Sequence, residues 1–106
     1  MSWLYLFVAG LFEIGMTYTL KRSSMEGSGW QWQAAFVVCA IISFGALERS
    51  LVGIPLGTAY AVWTGIGAVG TVLVGMFVFN EPRDAWRLFF IATLLASIVG
   101  LKVTSK

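Results

Sequence analysis

Histidine is absent from this sequence and cysteine occurs once, at Cys39, which removes the usual ligands for a soft metal and any intrachain disulfide. No cofactor is expected. Cys39 falls in the second of several apolar runs and reads as a small apolar helix residue. Charge is scarce too: Asp, Glu, Lys and Arg make up 11% of the chain, against about 25% in an ordinary soluble domain. So few charges cannot wet the surface of a water-soluble fold. The net charge of +2 is too small and too scattered for a nucleic-acid interface. Nor does any nucleophile stand beside a base, and no phosphate-cradling loop or metal cluster appears, so an enzyme is not expected.

What the chain has in abundance is hydrocarbon. Of its 106 residues, 58% are hydrophobic, and the mean hydropathy is +0.85. Four segments of membrane-spanning length use up nearly all of it, which leaves one transmembrane domain over residues 1–106 and no room for a soluble one. The first apolar stretch has no basic region before it and no small-residue cleavage site, so it reads as a retained helix rather than a removable leader.

The first span runs from about Trp3 to Leu20 and stops at Lys21, Arg22, Ser23 and Ser24. A polar loop with Gly27 and Gly29 follows, then Trp30 and Trp32 as an interfacial aromatic anchor. The second span covers about Ala34 to Leu47 and ends at Glu48, Arg49 and Ser50; its 14 uncharged residues are short for a crossing, so part of Trp30 to Gln33 should join it. Pro55 opens the third, where a missing N–H does no harm. That span reaches Phe79 and is closed by Asn80, Glu81 and Pro82. The fourth runs from about Trp86 to Leu101 and exits through Lys102, Thr104, Ser105 and Lys106. The expected fold is all-α, a four-helix up-down bundle with both termini on one side of the membrane.

Basic residues set membrane orientation. The side of the termini carries Arg49, Lys102 and Lys106, and the other carries Lys21, Arg22, Arg83 and Arg87. A bias of three against four either still picks one orientation or lets the chain insert both ways and pair with an inverted copy.

Within the first span stands Glu13. An ionisable group at that depth costs a few kcal/mol or more unless it faces a bundle interior or a wet cavity, which makes it a functional-site hypothesis. Ala9, Gly10, Met16 and Thr17, three and four residues away, give it a small and mildly polar face. It is the candidate for binding a proton or a cation; the plainer reading is an interhelical hydrogen bond to a hydroxyl. Tyr60 and Trp63 lie three apart on the third span, and rings beside a buried carboxylate make a cation box, with the Tyr60 hydroxyl able to hold the acid. Ordinary packing is the alternative for that pair. Ser43, in the middle of the second span, has Glu13, a ligand or its own backbone as partners. Gly65 and Gly67 permit a kink or, equally, close helix packing. Ala92, Ala96 and Gly100 repeat every fourth residue, a small-residue contact face that reads as a subunit interface. Asp84 and Glu81, flanking arginines, read as solvated loop charge.

The run Pro55-Leu56-Gly57-Thr58-Ala59-Tyr60-Ala61-Val62-Trp63-Thr64-Gly65-Ile66-Gly67, the glutamate on the first of four spans and the short length together resemble the small multidrug resistance family of proton-coupled exporters. The similarity covers essentially the whole chain. It implies a protein of the inner or plasma membrane and an antiparallel, dual-topology dimer in which two copies of Glu13 share one site, with proton and cationic substrate competing for it. By the same resemblance Tyr60 and Trp63 line the site, Ser43 joins its hydrogen bonds, and Gly65 and Gly67 match a kink in the third helix. Thr58, Thr64 and the Gly-Ile-Gly-Ala run resemble the guanidinium-exporter subtype. That subtype usually has tryptophan three residues after the glutamate, where this chain has Met16. The change points to a broader or more hydrophobic cation, or to one subunit of a paired heterodimer. The expected activity is proton-coupled export of guanidinium or a related small organic cation, with a quaternary ammonium or multidrug cation exporter as the alternative. A structural subunit and a passive cation channel are the competing classes.

Overall fold

A computed structural model of the chain describes residues 1–26 and 30–104. The loop glycines Gly27 and Gly29, and Ser105 and Lys106 at the exit, lie outside the described residues. Four helices account for nearly everything else: α1 (Ser2–Glu26), α2 (Trp30–Ser50), α3 (Leu56–Val78) and α4 (Ala85–Thr104). Each is long and apolar enough to cross the roughly 30 Å hydrocarbon core. The protein is a multi-pass membrane bundle.

The apolar runs locate the helices, and local chemistry sets their ends. α1 continues past Lys21 and Arg22, which close the apolar stretch but are good helix formers. Both cations are used there. Arg22 lies over the Trp32 ring at 4.9 Å and Lys21 over Phe79 at 6.0 Å, so the ends of α1 and α3 and the start of α2 meet at one face of the membrane. As expected, α2 takes in Trp30 to Gln33. Pro55 stands at the N-cap of α3, one residue before the first helical turn, and its carbonyl accepts the Ala59 N–H at 2.9 Å. Asn80 ends α3 with φ 56°, a left-handed conformation that asparagine tolerates. Asp84 is more than loop charge. Its Oδ1 accepts the Arg87 N–H at 2.8 Å and so caps the first turn of α4.

α1 is the centre of the bundle, packed against α2 and α3, while α4 packs on the far side of α3. The core gathers Leu6, Ala9, Ile54, Ala59, Val62, Trp63, Val69 and Ile98. Hydroxyls on the helix flanks mostly return to their own backbone, as Thr19 does to Gly15 O and Ser97 to Thr93 O. The result is a slab 45 × 35 × 16 Å across, with large apolar side chains exposed on α2 and α4. In lipid that exposure has no cost.

Candidate functional site

The α1–α3 seam is made by glycine. At Gly10 an added β-carbon would meet Ile66, and at Gly70 it would collide with Ile14. At Gly67 the occupant is the Glu13 side chain, whose carboxyl group fills the space a β-carbon would need. Small residues let two backbones approach closely. Here they let an acid lie against a backbone. Glu13 Oε1 is buried and has no hydrogen-bond partner among the described residues. The carboxylate therefore answers to neither the Tyr60 hydroxyl nor an interhelical hydroxyl bond at that oxygen.

One turn from Gly67 on α3 is Trp63, 7% exposed. Its indole Nε1–H donates to Ser43 Oγ at 3.0 Å, and the Ser43 hydroxyl donates to Ala9 O at 2.7 Å. Ser43 is fully buried. Its single proton goes across the helix interface to α1, to the carbonyl that in an α-helix accepts the Glu13 amide. Three helices are joined through that one hydroxyl. The methyl-sized side chain of Ala9 lets α2 come close enough for the bond.

The remaining candidates lie around this core. Tyr60 is 58% exposed, with its ring 5.8 Å from that of Trp63, and Phe44 covers Trp63 from α2 at 5.3 Å. Met16 is half-buried, one turn beyond Glu13 on α1. Gly65 and Gly67 lie in an unbroken helix: Gly65 receives Ile98 of α4 as Gly67 receives Glu13. Ala92, Ala96 and Gly100 are all exposed on α4, and a β-carbon on Gly100 would meet nothing within 4 Å.

One pair went unforeseen. Thr17 and Thr71, each one turn beyond Glu13 and Gly67, share a hydrogen bond of 2.6 Å. Their register across two helices cannot be read from either helix alone. The chemistry on offer is that of a carboxyl group in an apolar seam, lying against Gly67, with an indole fixed by Ser43 one turn along α3.

The small multidrug resistance protein family model matches residues 1–94. The chain belongs to the small multidrug resistance family. It is accordingly a membrane transporter of the cell inner membrane rather than an enzyme. Among relatives of this small multidrug resistance protein, the guanidinium exporter of Proteus vulgaris is 43% identical over 109 aligned positions, covering 99% of this chain and all of its own length. A probable guanidinium efflux system subunit, GdnD, of Bacillus licheniformis is 41% identical, covering 99% of this chain and all of its own. The guanidinium exporter of Escherichia coli (strain K12) is 38% identical and covers 99% of each chain.

Proposed function

We propose that this chain, acting as one domain over residues 1–106, exports guanidinium or a related small organic cation in exchange for protons, with Glu13 binding each in turn. The observation that carries the reading is the buried Glu13 Oε1, seated on Gly67 without a hydrogen-bond partner among the described residues. A carboxylate kept at membrane depth for structure alone would be tied to a donor. One left open exchanges its ligand. The names of the relatives, guanidinium exporters and an efflux-system subunit, supply the substrate class.

Trp63 forms a wall against which a planar cation stacks, and Tyr60 closes the outer side. Ser43 fixes the indole and so sets the width of the site. The slab is thin in one direction, and Tyr60 together with the Ala92, Ala96 and Gly100 face is exposed. Both features suit a second copy in inverted orientation, whose own Glu13 completes the site. Gly65 and Gly67 are where α3 yields as access switches from one side to the other. Neither cofactor nor metal takes part.

Met16 favours a second reading within the same mechanism. An adaptable apolar side chain beside Glu13, in place of an indole donor, suits a quaternary ammonium or multidrug cation. It also suits one subunit of a heterodimer with a paralogue, and the B. licheniformis relative is named as a subunit.

Uptake into proteoliposomes tests the proposal. With a pH gradient imposed, the antiporter accumulates guanidinium against its gradient; a channel only equilibrates it, and a structural subunit does neither. Glu13→Gln keeps the shape but cannot titrate, so it should abolish coupled uptake while Glu13→Asp retains part of it. Coupled uptake surviving in Glu13→Gln moves the coupling group elsewhere. Running guanidinium, methylguanidinium and tetraalkylammonium ions side by side decides between the two substrate readings.

A further inference from the structure

Beyond the Thr17–Thr71 pair, toward the loops, residues of α1 and of the end of α3 line a cavity of about 140 Å³. At roughly 30 Å³ per water it has room for a small organic ion and some solvent. Its lining holds one carboxylate, Glu81, which is ion-paired with Arg87, and one ammonium, Lys21. The Tyr18 and Phe79 rings stand 5.9 Å apart on one side, and the Glu81 carboxylate is folded back against Gly75, where a β-carbon would strike it. That fold-back is built rather than incidental. Asn80 turns the chain at φ 56°, the Glu81 N–H donates to Gly75 O at 3.0 Å, and Arg87 Nη2 donates to Glu81 Oε1 at 2.8 Å. One carboxylate oxygen is thus held, and the other retains its acceptor sites.

The threonines add an acceptor. With the Thr17 hydroxyl proton on Ile14 O at 2.9 Å, Thr71 is the donor within the pair. Lone pairs on Thr71 are left for a guest. A cation already samples this place: the Lys21 ammonium, also in the lining, lies 6.0 Å from the centroid of the Phe79 ring.

We infer that this cavity is a second cation site, one helical turn outside Glu13, which takes small N–H cations of the guanidinium or alkylammonium class, and that Lys21 is its tethered competitor. The inference rests on the reading of the transported species as a cation. Glu81 and Thr71 accept the N–H groups of the guest, and the Tyr18 and Phe79 rings face its positive charge. Lys21 swings out as the guest enters, which keeps the site weak and quick to empty toward either Glu13 or the loops.

The test is a guanidinium titration of the full-length protein in nanodiscs of neutral lipid, followed by the backbone amide signals of Gly75 and Glu81. It is run in the unaltered chain and in Glu13→Gln, which removes the inner carboxylate. The expected result is a saturable shift of both signals in both proteins. Lys21→Gln should tighten it by about two- to fivefold, and Glu81→Gln should weaken it by a similar factor. A gain of affinity in Lys21→Gln cannot come from misfolding. If the Gly75 and Glu81 signals fail to saturate in Glu13→Gln, or if Lys21→Gln leaves the affinity unchanged, the site is overturned. Saturation at Gly75 and Glu81 in the unaltered chain, with no response at Gly67, sustains this site while overturning the reading of Glu13 as the inner one.

Discussion

The Glu13 carboxyl group lies against the backbone of Gly67, in the volume that a β-carbon on residue 67 would occupy. The position of the acid is therefore set by an atom that is missing from the helix across the seam. Gly67→Ala brings the new methyl onto the end of a flexible side chain, which can move, so the acid is displaced while the helices stay packed. Overpacking costs about 1–3 kcal/mol, and replacing a helical glycine by alanine returns about 1 kcal/mol. The expected outcome is little change in thermal stability and a loss of coupled guanidinium uptake of at least about tenfold. Gly57→Ala, whose β-carbon meets nothing within 4 Å, is the control and should transport normally. Equal uptake by the two variants would show that Glu13 does not depend on Gly67.

Ser43 joins three helices, so its loss should be felt in two places. Ser43→Ala leaves the Trp63 indole N–H without its acceptor and should destabilise the bundle, by about 0.6 kcal/mol if it behaves like the average interhelical hydrogen bond in a membrane. Trp63→Phe removes the donor instead. If the hydrogen bond is the link, the double variant loses less than the sum of the two singles in reversible unfolding. Additive losses would mean that the two residues act separately.

Trp63→Ala should weaken cation binding by roughly 1–2 kcal/mol when the ring faces a desolvated cation. Tyr60→Phe removes only a hydroxyl and leaves the ring beside Trp63 in place. Its effect should appear in turnover rather than affinity, as measured by equilibrium binding beside initial uptake rates. Unchanged affinity in Trp63→Ala would return the indole to a packing role.

Met16 stands one turn beyond Glu13, on the same side of α1. Met16→Trp places an indole donor beside the acid, where it can fix the carboxylate for a planar ion with several N–H groups. In competition uptake, guanidinium should gain on tetraalkylammonium ions. A shift toward the bulkier ions would place residue 16 away from the substrate.

The basic residues divide three against four between the two membrane faces. So small a bias should let the chain insert in both orientations. In a Cys39→Ala background, Val103→Cys is an exposed reporter, and an impermeant thiol reagent on intact cells should label roughly half of the molecules. Two lysines inserted after Ser2 should drive labelling to one extreme and impair transport unless an oppositely biased copy is supplied. All-or-none labelling of the chain without the lysines would require a paralogue as partner.

Much of the candidate site was legible because a charged residue in an apolar run is conspicuous in the sequence. Glu13 needed no neighbours to be noticed, and the Tyr60–Trp63 spacing places both rings on one helix face wherever that helix packs. Ser43 was legible as a polar residue but not by its partner. Its hydroxyl reaches Ala9 O only because α2 packs closely on α1, and nothing in the second span records that distance. The helices α1 and α4 run on past their apolar spans at the C-terminal end, to Glu26 and Thr104. Lys21 and Arg22 end the apolar stretch yet are good helix formers, and they lie over rings on other segments; at the start of α4, Asp84 is a cap through a bond its charge does not announce.

Composition and spacing by themselves determined that this chain lives in a membrane, crosses it four times and carries one acid at depth, since these follow from the cost of burying charge and from the length of helix needed to cross a bilayer. Which glycine receives that acid, that Thr17 meets Thr71, and that Glu81 folds back over Gly75 were decided by tertiary structure alone. Those contacts depend on the rotation and register of one helix against another, and each is fixed by packing between residues more than fifty positions apart or by a turn whose direction the local sequence leaves open.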